Sequence, residues 1–215
     1  IDVMNAAGYK THWLSNQESS GIWGNVAQIY AEHSAVHRFT RIRDSKEDTG
    51  ILDEELFPLL DDAIANRSAD RNFYVVHLMG GHGLYYNRFP HSFYKFTKED
   101  IHLDVPDQKK EVVAQYDDAI YYNDYIVSSI IDKFRDSETL VIYVPDHGEA
   151  VYDDGGFAGH IEENPNRHMI EIPVIMWASD GFKTKYPEKW AAIQAAVNRP
   201  YMTDDMIHTV LDLAD

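Results

Sequence analysis

The sequence contains no cysteine, which removes disulfides, thiolate zinc ligands and thiol nucleophiles from consideration. The same absence fits a reducing cytosol and a disulfide-free periplasmic domain equally well, so it leaves the compartment open. Basic residues are scarce: 19 Lys and Arg stand against 36 Asp and Glu, a formal net charge of −17. That balance argues against a nucleic-acid ligand and against electrostatic attachment to an anionic membrane; partners should be neutral, cationic or bridged by a metal. No run of about 18 apolar residues occurs, so no segment reads as a bilayer span. The opening IDVMNAAGYK lacks the basic start and apolar core of a signal peptide, and any membrane anchor would have to lie outside this sequence.

What is present suffices for one good core: 215 residues, 44% of them hydrophobic, read as a single domain over 1–215. IDVMNAAG reads as a helix cut at its start and stopped at Gly8, and YKTHWLSNQ as a short strand. A helix is expected over Ile22–Glu32, and the polar stretch His37–Gly50 reads as a surface loop. Asp53–Asn66 should form a helix capped by Asp53. FYVVHL (73–78), TLVIYV (139–144) and IPVIMW (172–177) are continuous apolar strands, and apolar residues recur at three and four from Asp107 to Arg135 as in a long amphipathic helix. Further helices fit Pro187–Val197 and Thr203–Leu213. Buried strands alternating with amphipathic helices predict an α/β fold, a mainly parallel sheet with helices on both faces, whose ligand site lies beyond the carboxyl ends of its strands.

Two short motifs sit where strands end. GGHG follows the first continuous apolar strand and PDHGE the second, so that topology would carry His82, Asp146 and His147 to one sheet edge. An Asp beside a His on a Gly turn offers a carboxylate oxygen and an imidazole nitrogen suited to zinc or manganese; alone it reads equally as a capped turn with a solvated His. The glycines around His82 let backbone approach an anion, with the imidazole as phosphate donor, metal ligand or general acid; the bland alternative is a Gly-rich turn with an incidental His. The long excursion VYDDGGFAGHIEENPNRHM contains His160 and His168, either of which could complete the site. Asn16 and Gln17 could donate hydrogen bonds to a substrate or simply form a polar turn. His77 is expected in the core, and the acids Asp117, Asp118 and Asp124 are expected to be solvated or to cap a neighbouring loop rather than form a carboxylate site.

Taken together, HLMGGHGLYYNRFP, the helix carrying YDDAIYYND, VPDHGE and ENPNRHMIEIPVIMW resemble the bacterial phosphoethanolamine transferases of the sulfatase/alkaline-phosphatase superfamily. The similarity runs from DVMNAAGYKTHWLSNQ to MIHTVLDLAD, and GYKTHWLSNQ and NPNRHM resemble most the branch that modifies the lipopolysaccharide core. The resemblance implies a periplasmic domain of an inner-membrane protein, moving phosphoethanolamine from phosphatidylethanolamine to a lipopolysaccharide core or lipid A acceptor through a zinc-activated Thr phosphoenzyme. It makes Asp146 and His147 zinc ligands and gives His82 a phosphate-binding or proton-transferring role. The lipid A branch points to His160 as its partner and the core-modifying branch to His168. The family's Thr and a Glu zinc ligand match no residue of this sequence, so the expectation is a segment lacking its nucleophile, inactive alone and a weak binder of zinc. Rival readings are a sulfatase or phosphoglycerol transferase of the same superfamily, or a non-catalytic domain on its fold.

Overall fold

A computed structural model describes residues 1–19, 25–41, 51–154 and 156–215. The chain divides into two compact units, Ile1–Ile126 and Val127–Asp215.

The first unit begins with α1 (Asp2–Ala6), which ends as expected where Gly8 adopts a positive φ of 82°. Next come β1 (Lys10–Glu18), α2 (Asn25–Glu32), β2 (Val36–Arg41), α3 (Leu56–Ala65), β3 (Asn72–His77) and α4 (Asp107–Asp132), the last of which runs on into the second unit. The three strands form a parallel sheet in the order β2-β1-β3. The central strand is the most deeply buried: Thr11, Leu14, Ser15 and Asn16 have no exposed surface. Burial of an aliphatic side chain such as Leu14 stabilises by about 1.5 to 3 kcal/mol, and the alternating polar residues must find partners inside.

Two details differ from expectation, and a third falls partly outside the described residues. The helix expected from Ile22 is described from Asn25, and residues 20–24 lie outside the described part. Within the stretch read as a loop from His37 to Gly50, the part up to Arg41 is strand β2, and residues 42–50 lie outside the described part. Among the described residues β2 pairs only with β1, and its half-polar sequence VHRFTR suits an edge, which needs no continuous apolar run. Asp53 does not cap α3: a 3₁₀ turn, Asp53–Glu55, precedes that helix, neither end has a side-chain cap, and the Asp53 carboxylate is buried elsewhere.

In the second unit, β4 (Leu140–Tyr143) is followed by a two-residue pair, β5 (Ala150–Val151) with β6 (Ala158–Gly159), then α5 (Arg167–Ile170) and β7 (Ile175–Ala178). Helices α6 (Asp180–Lys185), α7 (Pro187–Ala196) and α8 (Met206–Ala214) close the chain. β4 and β7 are antiparallel neighbours, whereas their apolar runs had been read as further parallel strands. A continuous apolar run reports burial on both faces and carries no information on direction. The α/β class with a parallel sheet holds, and the parallel part belongs to the first unit.

Candidate functional site

In the first unit the chemistry-bearing turn follows β3. The Asp53 carboxylate, 6% exposed, accepts from the Met79 and Gly80 backbone N–H groups at 2.8 and 2.9 Å and from Asn16 Nδ2 at 2.8 Å. One buried anion thus joins the end of β1 to the turn after β3, and charge-assisted bonds of this kind are the strong ones. Asn16 also donates to the Ile51 carbonyl at 3.1 Å and accepts from Thr40 Oγ1, so its amide faces protein on both sides. Gln17 Nε2 donates to the Leu78 carbonyl at 3.2 Å. These two polar residues frame the turn.

From that frame the GGHG turn projects His82 into an exposed position. Gly80 holds a positive φ of 58°, and the buried Arg88 clasps the turn, its Nε donating to the His82 carbonyl at 2.8 Å and its Nη2 to the Gly83 carbonyl at 2.7 Å. Leu84, immediately after, is left-handed at φ 58° and 53% exposed. Such a conformation costs a non-glycine residue of order 1 kcal/mol. His77 bonds through Nδ1 to Ser15 Oγ at 3.0 Å, hydrogen-bonded across the sheet as expected but half-buried rather than in the core. Asp118 caps a loop, accepting from the Lys95 and Phe96 N–H groups at 2.9 and 3.0 Å, while Asp124 is exposed.

In the second unit the PDHGE turn follows β4. Gly148 is required there by space: a Cβ would lie 2.1 Å from the carbonyl oxygen of His168, and the Gly148 N–H donates to the Met169 carbonyl at 2.8 Å. The turn is thereby fastened to α5, whose N-cap Asn166 accepts from the Met169 N–H. Asp146 projects outward with its side chain 91% exposed, and its Oδ1 lies 3.8 Å from His147 Nε2. His147 Nδ1 lies 3.0 Å from the Gly148 carbonyl, which leaves Nε2 for a ligand.

The β5–β6 pairing sets Ala150 opposite Gly159 and so brings Glu149 beside His160. Glu149 Oε1 lies 2.7 Å from His160 Nδ1, and the carboxylate-bearing side chain is only 7% exposed. The His160 ring packs against that of His147, with centroids 3.8 Å apart and planes inclined by 37°. His147, Glu149 and His160 thus offer ligand atoms within 4.8 Å of one another, a nitrogen and oxygen set that fits zinc. His168 has its Nδ1 3.9 Å from Asp153 Oδ1, and its contact with the turn is through its backbone.

Of the expected residues, then, the second unit brings His147 together with His160, Asp146 stands beside them, and His82 belongs to the first unit. Asp53 and Glu149 were missed. One sequence signal pointed to Glu149: it directly follows the DHG turn and precedes the two-residue strand β5.

On this α/β scaffold the turns after β3 and β4 each carry a histidine, His82 in the first unit and His147 in the second. A family model described as Sulfatase matches residues 1–215, and the chain belongs to that family. Its similarity is to phosphoethanolamine transferases. EptC of Escherichia coli (strain K12) is 30% identical over 224 residues, covering 100% of this chain and 37% of the relative. The Kdo(2)-lipid A phosphoethanolamine 7''-transferase of the same strain is 26% identical over 194 residues, covering 90% of this chain and 33% of the relative. The C-terminal periplasmic domain of EcEptC from Escherichia coli, solved in complex with Zn, superposes with a TM-score of 0.87 at 28% identity, over 99% of this chain and 60% of that one. The chain therefore spans about a third of the length of the curated relatives named here.

Proposed function

We propose that this chain is part of an enzyme that transfers phosphoethanolamine from phosphatidylethanolamine to a lipopolysaccharide core or lipid A acceptor, on the periplasmic side of an inner membrane. The observation that carries this reading is the meeting of the His147 and His160 rings beside the exposed Asp146, in a chain similar over its whole length to named phosphoethanolamine transferases. Among the described residues no helix is long and apolar enough to cross a membrane.

Asp146 and His147 would hold the metal, which we assign as zinc rather than manganese because a similar structure was solved with Zn. Bound there, zinc supplies a Lewis acid that lowers the pKa of a hydroxyl nucleophile and neutralises charge on the phosphoryl group. The nucleophile is taken to be a Thr hydroxyl, to which no residue of this sequence is assigned. Its oxygen forms a bond to phosphorus as the bond to the glycerol oxygen breaks, and diacylglycerol leaves with a proton. The acceptor oxygen then attacks phosphorus and the Thr hydroxyl is regained. His82 and His160 bind phosphate oxygens or carry the proton to the leaving group, and His160 is preferred to His168 because its ring meets His147.

The test is expression of the longer native protein and mass spectrometry of lipopolysaccharide. One added phosphoethanolamine is expected with the wild type and none with Asp146→Ala. An equal increment in both would sink the metal assignment, and no increment in the wild type would sink the transferase reading.

A further inference from the structure

Glu149 has a part in neither the expected ligand set nor the steps above, yet it is the most deeply placed carboxylate of the cluster. Its side chain is 7% exposed, and burying a carboxylate is costly unless a specific partner answers it. Its partner is His160 Nδ1, at 2.7 Å. That separation is a hydrogen-bond length; two ligands on a tetrahedral zinc, with bonds of about 2.0 to 2.1 Å, stand well over 3 Å apart. The short contact therefore speaks for a carboxylate holding an imidazole rather than for two ligands sharing an ion.

His147 is held in the same manner, since its Nδ1 lies 3.0 Å from the Gly148 carbonyl. With Nδ1–H donating to an oxygen in each ring, both imidazoles carry their lone pair on Nε2. The rings lie side by side at 3.8 Å, one steadied by a backbone carbonyl and the other by a side chain. The β5–β6 pairing makes this possible, and the Gly159 φ of +121° gives the chain its path into His160.

We propose that Glu149 is a positioning residue: it fixes His160 as the Nδ1–H tautomer, so that the Nε2 lone pair is presented beside His147 to a metal or to a hydroxyl proton that the imidazole then carries. The role of His160 toward substrate rests on the transferase reading; the tautomer does not.

The primary measurement is a long-range ¹H–¹⁵N correlation spectrum of metal-free protein near pH 8, where an ordinary imidazole is neutral. In the wild type His160 should appear with Nδ1 protonated and Nε2 bare. An Nε2–H pattern in the wild type overturns the proposal without recourse to any variant. In Glu149→Leu the acceptor is gone and His160 should move to the Nε2–H form, while an unchanged His147 pattern reports an intact turn. If His160 keeps its Nδ1–H pattern in that variant, the proposal also fails.

In the transfer assay with the longer protein, Glu149→Leu should lower kcat by about 10- to 100-fold at equal zinc content, the usual effect of losing a residue that orients a functional His. Glu149→Gln, whose amide oxygen can still accept from Nδ1–H, should recover part of that loss. A changed tautomer with no transfer by the wild type would refute the functional reading and leave the positioning role standing.

Discussion

In the turn after β3, backbone N–H groups converge on one buried carboxylate, whereas in the turn after β4 side chains gather above a glycine pressed against a neighbouring backbone. The first arrangement fixes a loop and leaves its histidine exposed; the second fixes the histidines themselves. The difference shows two ways of making a strand end chemically useful. A loop can be made rigid so that one residue is displayed, or a short strand pair can be folded over so that several residues meet.

Removing the acid at the centre of the first arrangement should have the largest effect. Asp53→Ala leaves the half-buried Met79 and Gly80 N–H groups and the buried Asn16 amide without their shared acceptor, and an orphaned donor costs about 1 to 3 kcal/mol, the lower end applying where it is part-exposed. A loss of about 4 kcal/mol is therefore expected in urea unfolding. A loss below about 1 kcal/mol would mean that water replaces the carboxylate and that the turn is not built on it.

Gly148→Ala tests the second arrangement by sterics. A methyl group 2.1 Å from the His168 carbonyl forces the turn and α5 apart, at about 2 to 3 kcal/mol. The same change should disturb the His147 and His160 resonances. Unmoved resonances at both would mean that the turn does not depend on the glycine.

The smallest effect concerns pH and the sheet of the first unit. Burial pushes the His12 imidazole below its ordinary value, an effect larger than the opposing hydrogen bond with Asn72. A folded pKa below the unfolded one means the unfolded chain binds more protons, so stability is highest above the ordinary value of 6.5 and falls as the pH drops through it. Replacing His12 with Phe should make the loss of stability between pH 7.5 and 5 shallower. An unchanged slope would place the acid sensitivity elsewhere.

Much of this was readable beforehand, for identifiable reasons. FYVVHL and the 3.6-residue period after Asp107 announced β3 and α4 because both elements bury apolar surface. GGHG and DHGE announced strand-end turns because glycine there answers backbone geometry, and Gly148 shows how strictly. The edge strand β2 was not readable, since VHRFTR interleaves polar with apolar residues and leaves His37 and Arg38 exposed. Asp53 was misread as a cap because local spacing identifies a helix start without revealing a carboxylate drawn away by partners 26 and 27 residues further on. Glu149 was overlooked because its meaning depends on a two-residue strand pair, too short for any periodicity.

The carboxylate of Asp53 also has a consequence in time. The Met79 and Gly80 amides lie outside any helix or strand, yet both are bonded to an acid that also holds Asn16 of the central strand. Their hydrogens can exchange with water only when that knot opens, so this loop should keep its protons on the schedule of the sheet. A chemically exposed histidine would then be carried by one of the slowest-opening turns in the first unit.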